Sequence, residues 1–380
     1  MPPDSTRPTE PRRIDMHFHV GLRGDRHPEW GHISERMRAM WPRYEIFLLY
    51  AGLEKGQDTD DALTARTIGT IDEASIDGVV CLALDHVWRA DGTPDRDASD
   101  FWVANDYILH LRERLPSKVL FGASVHPFRP DFEDRVLECV ERGAVLLKWL
   151  PSAQQFSLAN PTVRRALEFL ATARHGAPLP LLLHVGVEYA VPTSDERTRP
   201  YDYLSWNRWD RFRNFWRRDR WHTPDVAGTL HTIDAGLARG AVIIVAHAGL
   251  PYFAARAALL EHDDFPVVRE YLERTRRGET GRGKVFADLS ACATPFRKSY
   301  FDELARLPED LLLFGSDFPT PVFELAADFE EAWKDFRAML GGRLERIAVP
   351  QDNPIDVNVR ELEHSFPGHP MFTNFARLFL

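Results

Sequence analysis

Eight short apolar runs recur along this 380-residue chain, and each ends on or beside residues that carry protons or bind metals. They are RRIDMHFHV (12–20), GVVCLALDH (78–86), VLFGASVHP (119–127), GAVLLKWLP (143–151), LPLLLHVG (179–186), AVIIVAHAG (241–249), KVFADLSA (284–291) and LLLFGSDFP (311–319). Several are apolar nearly throughout, as strands buried on both faces of a parallel sheet must be. Longer stretches with helical spacing separate them, which is the pattern of repeated βα units. Eight such units predict a (β/α)8 TIM barrel, with a doubly wound sheet as the structural alternative. A chain of this length with 44% hydrophobic residues can bury one such core.

The ionisable residues fall at the C-terminal ends of the runs: Asp85 and His86, His126, Lys148, His184, His247, Asp288 and Asp317. In a parallel barrel those ends meet at one mouth, where active sites of this architecture are built. The first run adds His17 and His19, two residues apart and therefore on one face of a strand, where they could grip a single ion. A polar strand face that happens to carry histidine is the plain alternative. Any one of these side chains alone is more often structural than functional; their convergence is what points to a metal-dependent site.

Composition narrows the field. A net charge of −10, from 57 acidic and 47 basic residues, argues against nucleic acid as a partner. Residues 1–13, Pro-rich and polar, read as a flexible tail and not as a secretory signal, leaving 14–380 as a single barrel domain. No apolar run approaches the roughly 18 residues of a membrane span. Three distant cysteines, Cys81, Cys139 and Cys292, suit buried, reduced thiols and a cytoplasmic location. Between the runs, Asn160-Pro161 starts a helix through Leu167 and Leu170 that stops by Gly176, a second helix is expected from Ser99 or Asp100 through Trp102 to Leu111, and VLECVERG (136–143) ends a third.

With IDMHFH, IDEASIDGVV (71–80), GAVLLKWLP, LPLLLHVG, VAHAGLP (245–251), LLFGSDFP (312–319) and TNFARLFL (373–380) in view, the chain resembles the amidohydrolase superfamily of metal-dependent barrels over nearly its whole length. The likeness is to the branch that includes aminocarboxymuconate-semialdehyde and resorcylate decarboxylases beside many hydrolases. It implies that His17, His19, His184 and Asp317 are metal ligands. Three imidazoles and a carboxylate suit Zn2+, with Mn2+ or Fe2+ as alternatives. Such an ion lowers the pKa of a bound water from near 16 to about 7. The resemblance gives Asp317 the acid/base role and His247 a part in polarising the substrate or moving a proton.

Lys148 decides the subtype. It matches the place where two-metal members of the superfamily carry a carboxylated lysine bridging the ions, with His184 and His247 on the second one. The competing arrangement has one ion, a free His247 and a Lys148 that holds a substrate carboxylate; a third pairs Lys148 with a neighbouring acid. The lysine context tilts the expected reaction toward hydrolysis of a C–N or C–O bond in a small substrate, with decarboxylation of an aromatic or enoic acid as the alternative and a metal-free binding barrel as the alternative of another class.

About sixty residues separate the first two runs and about fifty-five the fifth and sixth, more than a βα unit requires. Long insertions at a barrel mouth act as lids, pocket walls or subunit contacts. The second holds YDYLSWNRWDRFRNFWRRDRWH (201–222), whose four tryptophans and six arginines suit an anionic or aromatic substrate, the alternative being an amphipathic segment packed on the barrel or on a neighbouring subunit of a homodimer. Glu188 is a candidate pocket residue. His27, His32 and His222 read as surface or lid residues, and His126 as a partner for a neighbouring loop.

Overall fold

The computed structural model describes residues 12–185, 190, 191, 231–250 and 264–380. Eight parallel strands form one sheet in sequential order: β1 (Ile14–His19), β2 (Gly78–Leu82), β3 (Val119–Ala123), β4 (Ala144–Trp149), β5 (Leu181–Leu183), β6 (Val242–Val245), β7 (Lys284–Asp288) and β8 (Leu312–Leu313). β8 is short, yet the chain beyond it closes the barrel against β1. The Met16 amide donates to the Phe314 carbonyl (3.0 Å), the Asp317 amide to the His17 carbonyl (2.8 Å) and the His19 amide to the Phe318 carbonyl (3.1 Å). Each of the eight apolar runs therefore supplies one strand, and the expected (β/α)8 barrel is the observed fold.

The closure leaves no room for a side chain at Gly315. A Cβ there would sit 2.7 Å from the Cβ of His17 and 3.1 Å from that of Ser290. Gly315 is thus the residue that lets the eighth run lie against the first at the height of the histidines.

Outside the barrel, the helix from Asn160 is present as Pro161–Leu170, with the Asn160 side chain accepting from the Thr162 amide. It ends at Leu170, before Gly176. The helix expected from Ser99 or Asp100 starts instead at Asn105, because Phe101–Val103 is a strand paired antiparallel with Gly31–Ile33. Ser99 and Asp100 spend their capping groups elsewhere: Ser99 Oγ binds the Asp95 carbonyl, and the Asp100 carboxylate takes Ser34 Oγ and the Arg36 guanidinium. The third helix is Phe132–Glu141, followed by Gly143 at φ +87°. TNFARLFL closes the chain as a 3-10 helix, Asn374–Phe379, with Phe375 and Leu378 buried against the barrel.

One apolar core runs from Ile14 to Leu378, and all three cysteines are buried within the protein as free thiols. Arg12 and Arg13, at the end of the expected tail, are tied to Asp77. Among the described residues no helix is long and apolar enough to cross a membrane. The Trp- and Arg-rich stretch 201–222, with His222, and Glu188 lie outside the described residues.

Overpacking a tight core contact costs about 1–3 kcal/mol. Gly315→Ala should lower the unfolding free energy by that amount in a urea titration. Gly69→Ala, where an added Cβ meets nothing within 4 Å on the helix Asp60–Glu73, should be neutral or stabilising.

Candidate metal centre

The barrel places the strand-end groups as the pattern requires, and most of them are withdrawn from water. His17, Lys148 and Asp288 are wholly buried, and His247 and Asp317 nearly so. Period two puts His17 and His19 on one face of β1, with their Nε2 atoms 3.1 Å apart. Asp317 meets them from the eighth run: its Oδ1 is 3.4 Å from His17 Nε2 and 3.3 Å from His19 Nε2. Lys148, in β4, brings Nζ within 3.1 Å of the same His17 nitrogen.

Backbone conformation at two of these positions is unusual. Asp317 sits at φ +59°, and His247 and Ala248 at φ +54° and +52° directly after β6. Such left-handed non-glycine residues cost free energy and cluster at functional sites. Here they turn the carboxylate and the imidazole back over the barrel mouth.

Two groups of ligand-type atoms lie close enough together to share an ion: His17, His19 and Asp317, and His17, His247 and Asp288. The second is already filled by a hydroxyl. Ser290 Oγ is 2.7 Å from His247 Nδ1 and 3.1 Å from His17 Nδ1, and donates a short hydrogen bond to Asp288 Oδ1. His17 Nδ1 faces Asp288 Oδ2 at 3.0 Å, and Asp288 Oδ1 also accepts the amides of His247 and Ser290. A carboxylate only accepts, so the proton of His17 lies on Nδ1 and its Nε2 carries a lone pair that faces Lys148 Nζ. His247 Nδ1 also faces the Ser290 carbonyl at 3.2 Å, which likewise places its proton there and leaves Nε2 free, 3.9 Å from Asp317 Oδ2.

The first group fits a metal. Ligand atoms about 2.0–2.2 Å from one ion stand roughly 3–3.6 Å apart, the spacing of His17 Nε2, His19 Nε2 and Asp317 Oδ1. The other carboxylate oxygen, Oδ2, accepts from Thr320 Oγ1 at 2.7 Å.

Electrostatics agree with a site built for unprotonated ligands. Burial and the neighbouring Lys148 push His17 down to about 3. Burial, then His247 and Lys148, push His184 well below its ordinary value, and burial lowers His247. Burial opposes ionisation of Asp317 and Asp288, but the adjacent imidazoles outweigh it and hold both carboxylates below the usual range.

Other predicted positions fall as follows. His184 lines the cavity at the mouth, its ring 5.2 Å from that of His247, outside both tight groups. His126 does bind a loop: Nε2 donates to the Gln154 carbonyl at 2.8 Å, and its amide donates to Asp85. Asp85 also meets Arg129, and His86 packs on Trp102, so the ends of β2 and β3 build the rim and not the metal group. His27 packs on Trp30 and bonds Glu29, away from the site.

A cavity of about 220 Å3 opens on His19, His184, His247 and Asp317. Much of its wall comes from the insertion after β1, including Ile33, Met37, Ile46 and Phe47, so that insertion is a pocket wall. Ser290, Thr320 and Asp15 are the site residues that sequence reading missed.

No family model matches the sequence, and no curated protein matches it. Among solved structures, the chain is similar to an amidohydrolase from Burkholderia multivorans with bound zinc (14% identity, 94% of this chain and 93% of that one, TM-score 0.46). It is similar also to 5-carboxyvanillate decarboxylase from Sphingomonas paucimobilis (13%, 94% and 99%, 0.45) and to a TIM-barrel protein from Bordetella bronchiseptica (12%, 93% and 98%, 0.45).

Partners that orient metal-binding histidines typically carry a 10–100-fold share of metal affinity. Ser290→Ala should weaken zinc binding by that factor in competition with a chelator. Unchanged affinity would show that the hydroxyl does not orient the imidazoles.

Proposed function

We propose that this chain is a metal-dependent enzyme of the amidohydrolase superfamily that hydrolyses a C–N or C–O bond in a small substrate. The observation that carries the reading is the convergence of His17 Nε2, His19 Nε2 and Asp317 Oδ1 within 3.4 Å of one another, with the His17 proton held on the far side of the ring. Two imidazole nitrogens and a carboxylate oxygen at this spacing match the donor set of a divalent ion. Zn2+ is the favoured ion, with His184, which lines the cavity outside this group, as the further ligand that the resemblance implies.

When bound, a divalent ion supplies Lewis acidity and an acidified water. The chain's own groups do the rest. Asp317 divides its labour: Oδ1 faces the histidines, while Oδ2, steadied by Thr320, is free to take a proton from the attacking water and return it to the leaving group. The bare Nε2 of His247 faces the same carboxylate and is available to a substrate or a second ion. An ammonium on Lys148 at 3.1 Å from a ligand nitrogen would oppose an ion there by several kcal/mol, at about 4 kcal/mol per unit-charge pair at 4 Å in a medium of effective dielectric 20. Lys148 would therefore have to be neutral or carboxylated in the loaded enzyme, and the carboxylated form, which would turn the opposing charge into a metal-binding one, is the form proposed.

Metal analysis and one substitution test this. After reconstitution with zinc or manganese, the protein should hold at least about one ion per chain, as a site of this ligand type does, and the double variant His17→Ala, His19→Ala should hold none. Asp317→Asn should cut turnover by about 10²–10⁴ with the fold retained, as loss of a general acid/base does. A metal-free wild type would contradict the proposal. Release of CO2 from aromatic or enoic acids, without activity on amides, lactones or esters, would assign the same site to decarboxylation.

A further inference from the structure

The cavity beside the ligands is far more apolar than the chemistry at its end requires. Two apolar clusters separate from the main core line it. Ile33, Met37, Leu48 and Leu150 belong to one, and Ile46 and Met339 to the other. Arg43, Arg66, Asp264, Arg297 and Asp317 are the charged side chains on its described walls, and two of the arginines are turned to backbone carbonyls. Arg297, 4% exposed, donates to the carbonyls of Ser290, Ala291 and Leu250, and Arg66 Nε donates to the Ala51 carbonyl. A volume of about 220 Å3 exceeds the roughly 150 Å3 of an apolar cavity that takes up benzene.

Water in such a space has few polar partners, so it is readily displaced by an apolar group. A site that served only a small polar substrate would have no need of a helix, Arg43–Tyr50, that turns Ile46 and Phe47 to the cavity. We infer that the substrate carries an apolar body, an aryl ring or an alkyl chain of at least about six carbons, seated against the wall formed by residues 33–48 while its reacting end meets the metal ligands. This inference rests on the metal-dependent reading above and names the substrate class for that site. Specificity then lies in the insertion after β1, and the strand ends supply only the chemistry.

Straight-chain alkyl hydroxamic acids, from acetohydroxamic to octanohydroxamic acid, separate the two ideas, because the hydroxamate chelates zinc and the tail reads the cavity. Their binding to the zinc-loaded protein is measured by calorimetry. Affinity should rise about fourfold for each methylene that enters the cavity and level off once it is full. Ile46→Asp should flatten the series while leaving acetohydroxamate binding unchanged, which also shows that the variant is folded. Phe47→Ala, at a half-buried position that tolerates truncation, should reduce the gain from the longer tails. Acetohydroxamate binding with no dependence on tail length would overturn the inference and leave the metal reading standing. Failure of every hydroxamate to bind would overturn the metal reading, and the inference with it.

Discussion

The seam between the first and eighth runs is the constraint on which the rest of the site depends. Three backbone hydrogen bonds join segments about 300 residues apart, and they set His17 and His19 against Asp317 at ligand spacing. Asp15 stitches the same seam from beneath, its Oδ1 accepting both the His17 and the Ser316 amides at 3.0 Å. That carboxyl lies in the interior, where burial raises it to about 7, and its second oxygen has no hydrogen-bond partner among the described residues. A buried group so placed costs stability. The return is a fixed height for the first-strand histidines relative to the last-strand aspartate.

A second layer of polar contacts decides which face of each imidazole does chemistry. Asp288 and Ser290 take up the Nδ1 sides of His17 and His247, and so turn both Nε2 atoms toward Asp317. Without them either tautomer would be open to a neutral histidine, and His17 could present a proton where the site needs a lone pair. Selection of the Nε2 face is thus a property of β7 and its following turn, although the candidate ligands His17, His19 and Asp317 come from β1 and the eighth run.

The barrel was legible in the sequence because parallel strands buried on both faces must be apolar, and because the loops after them must carry the polar groups. His17 and His19 were legible because a period of two needs no knowledge of the rest of the chain. Asp317 and Lys148 were visible as strand-end residues, and the fold brings both to His17. Trp102 was misplaced into a helix, because Ser99 and Asp100 carry capping groups that the fold spends on Asp95, Ser34 and Arg36 instead. Ser290 carried no local signal at all: a serine two residues past an aspartate is unremarkable until the turn folds its hydroxyl between two histidines. The insertion after β1 was legible only as excess length, since the apolar wall it builds depends on how its helices dock.

The most direct test of the metal centre is an anomalous difference map, recorded at the zinc edge from crystals of the zinc-loaded protein. The geometry predicts a peak about 2.0–2.2 Å from His17 Nε2, His19 Nε2 and Asp317 Oδ1, the bond lengths of zinc to imidazole and carboxylate. A peak instead among His17 Nδ1, His247 Nδ1 and Asp288, or no peak at the barrel mouth, would contradict it.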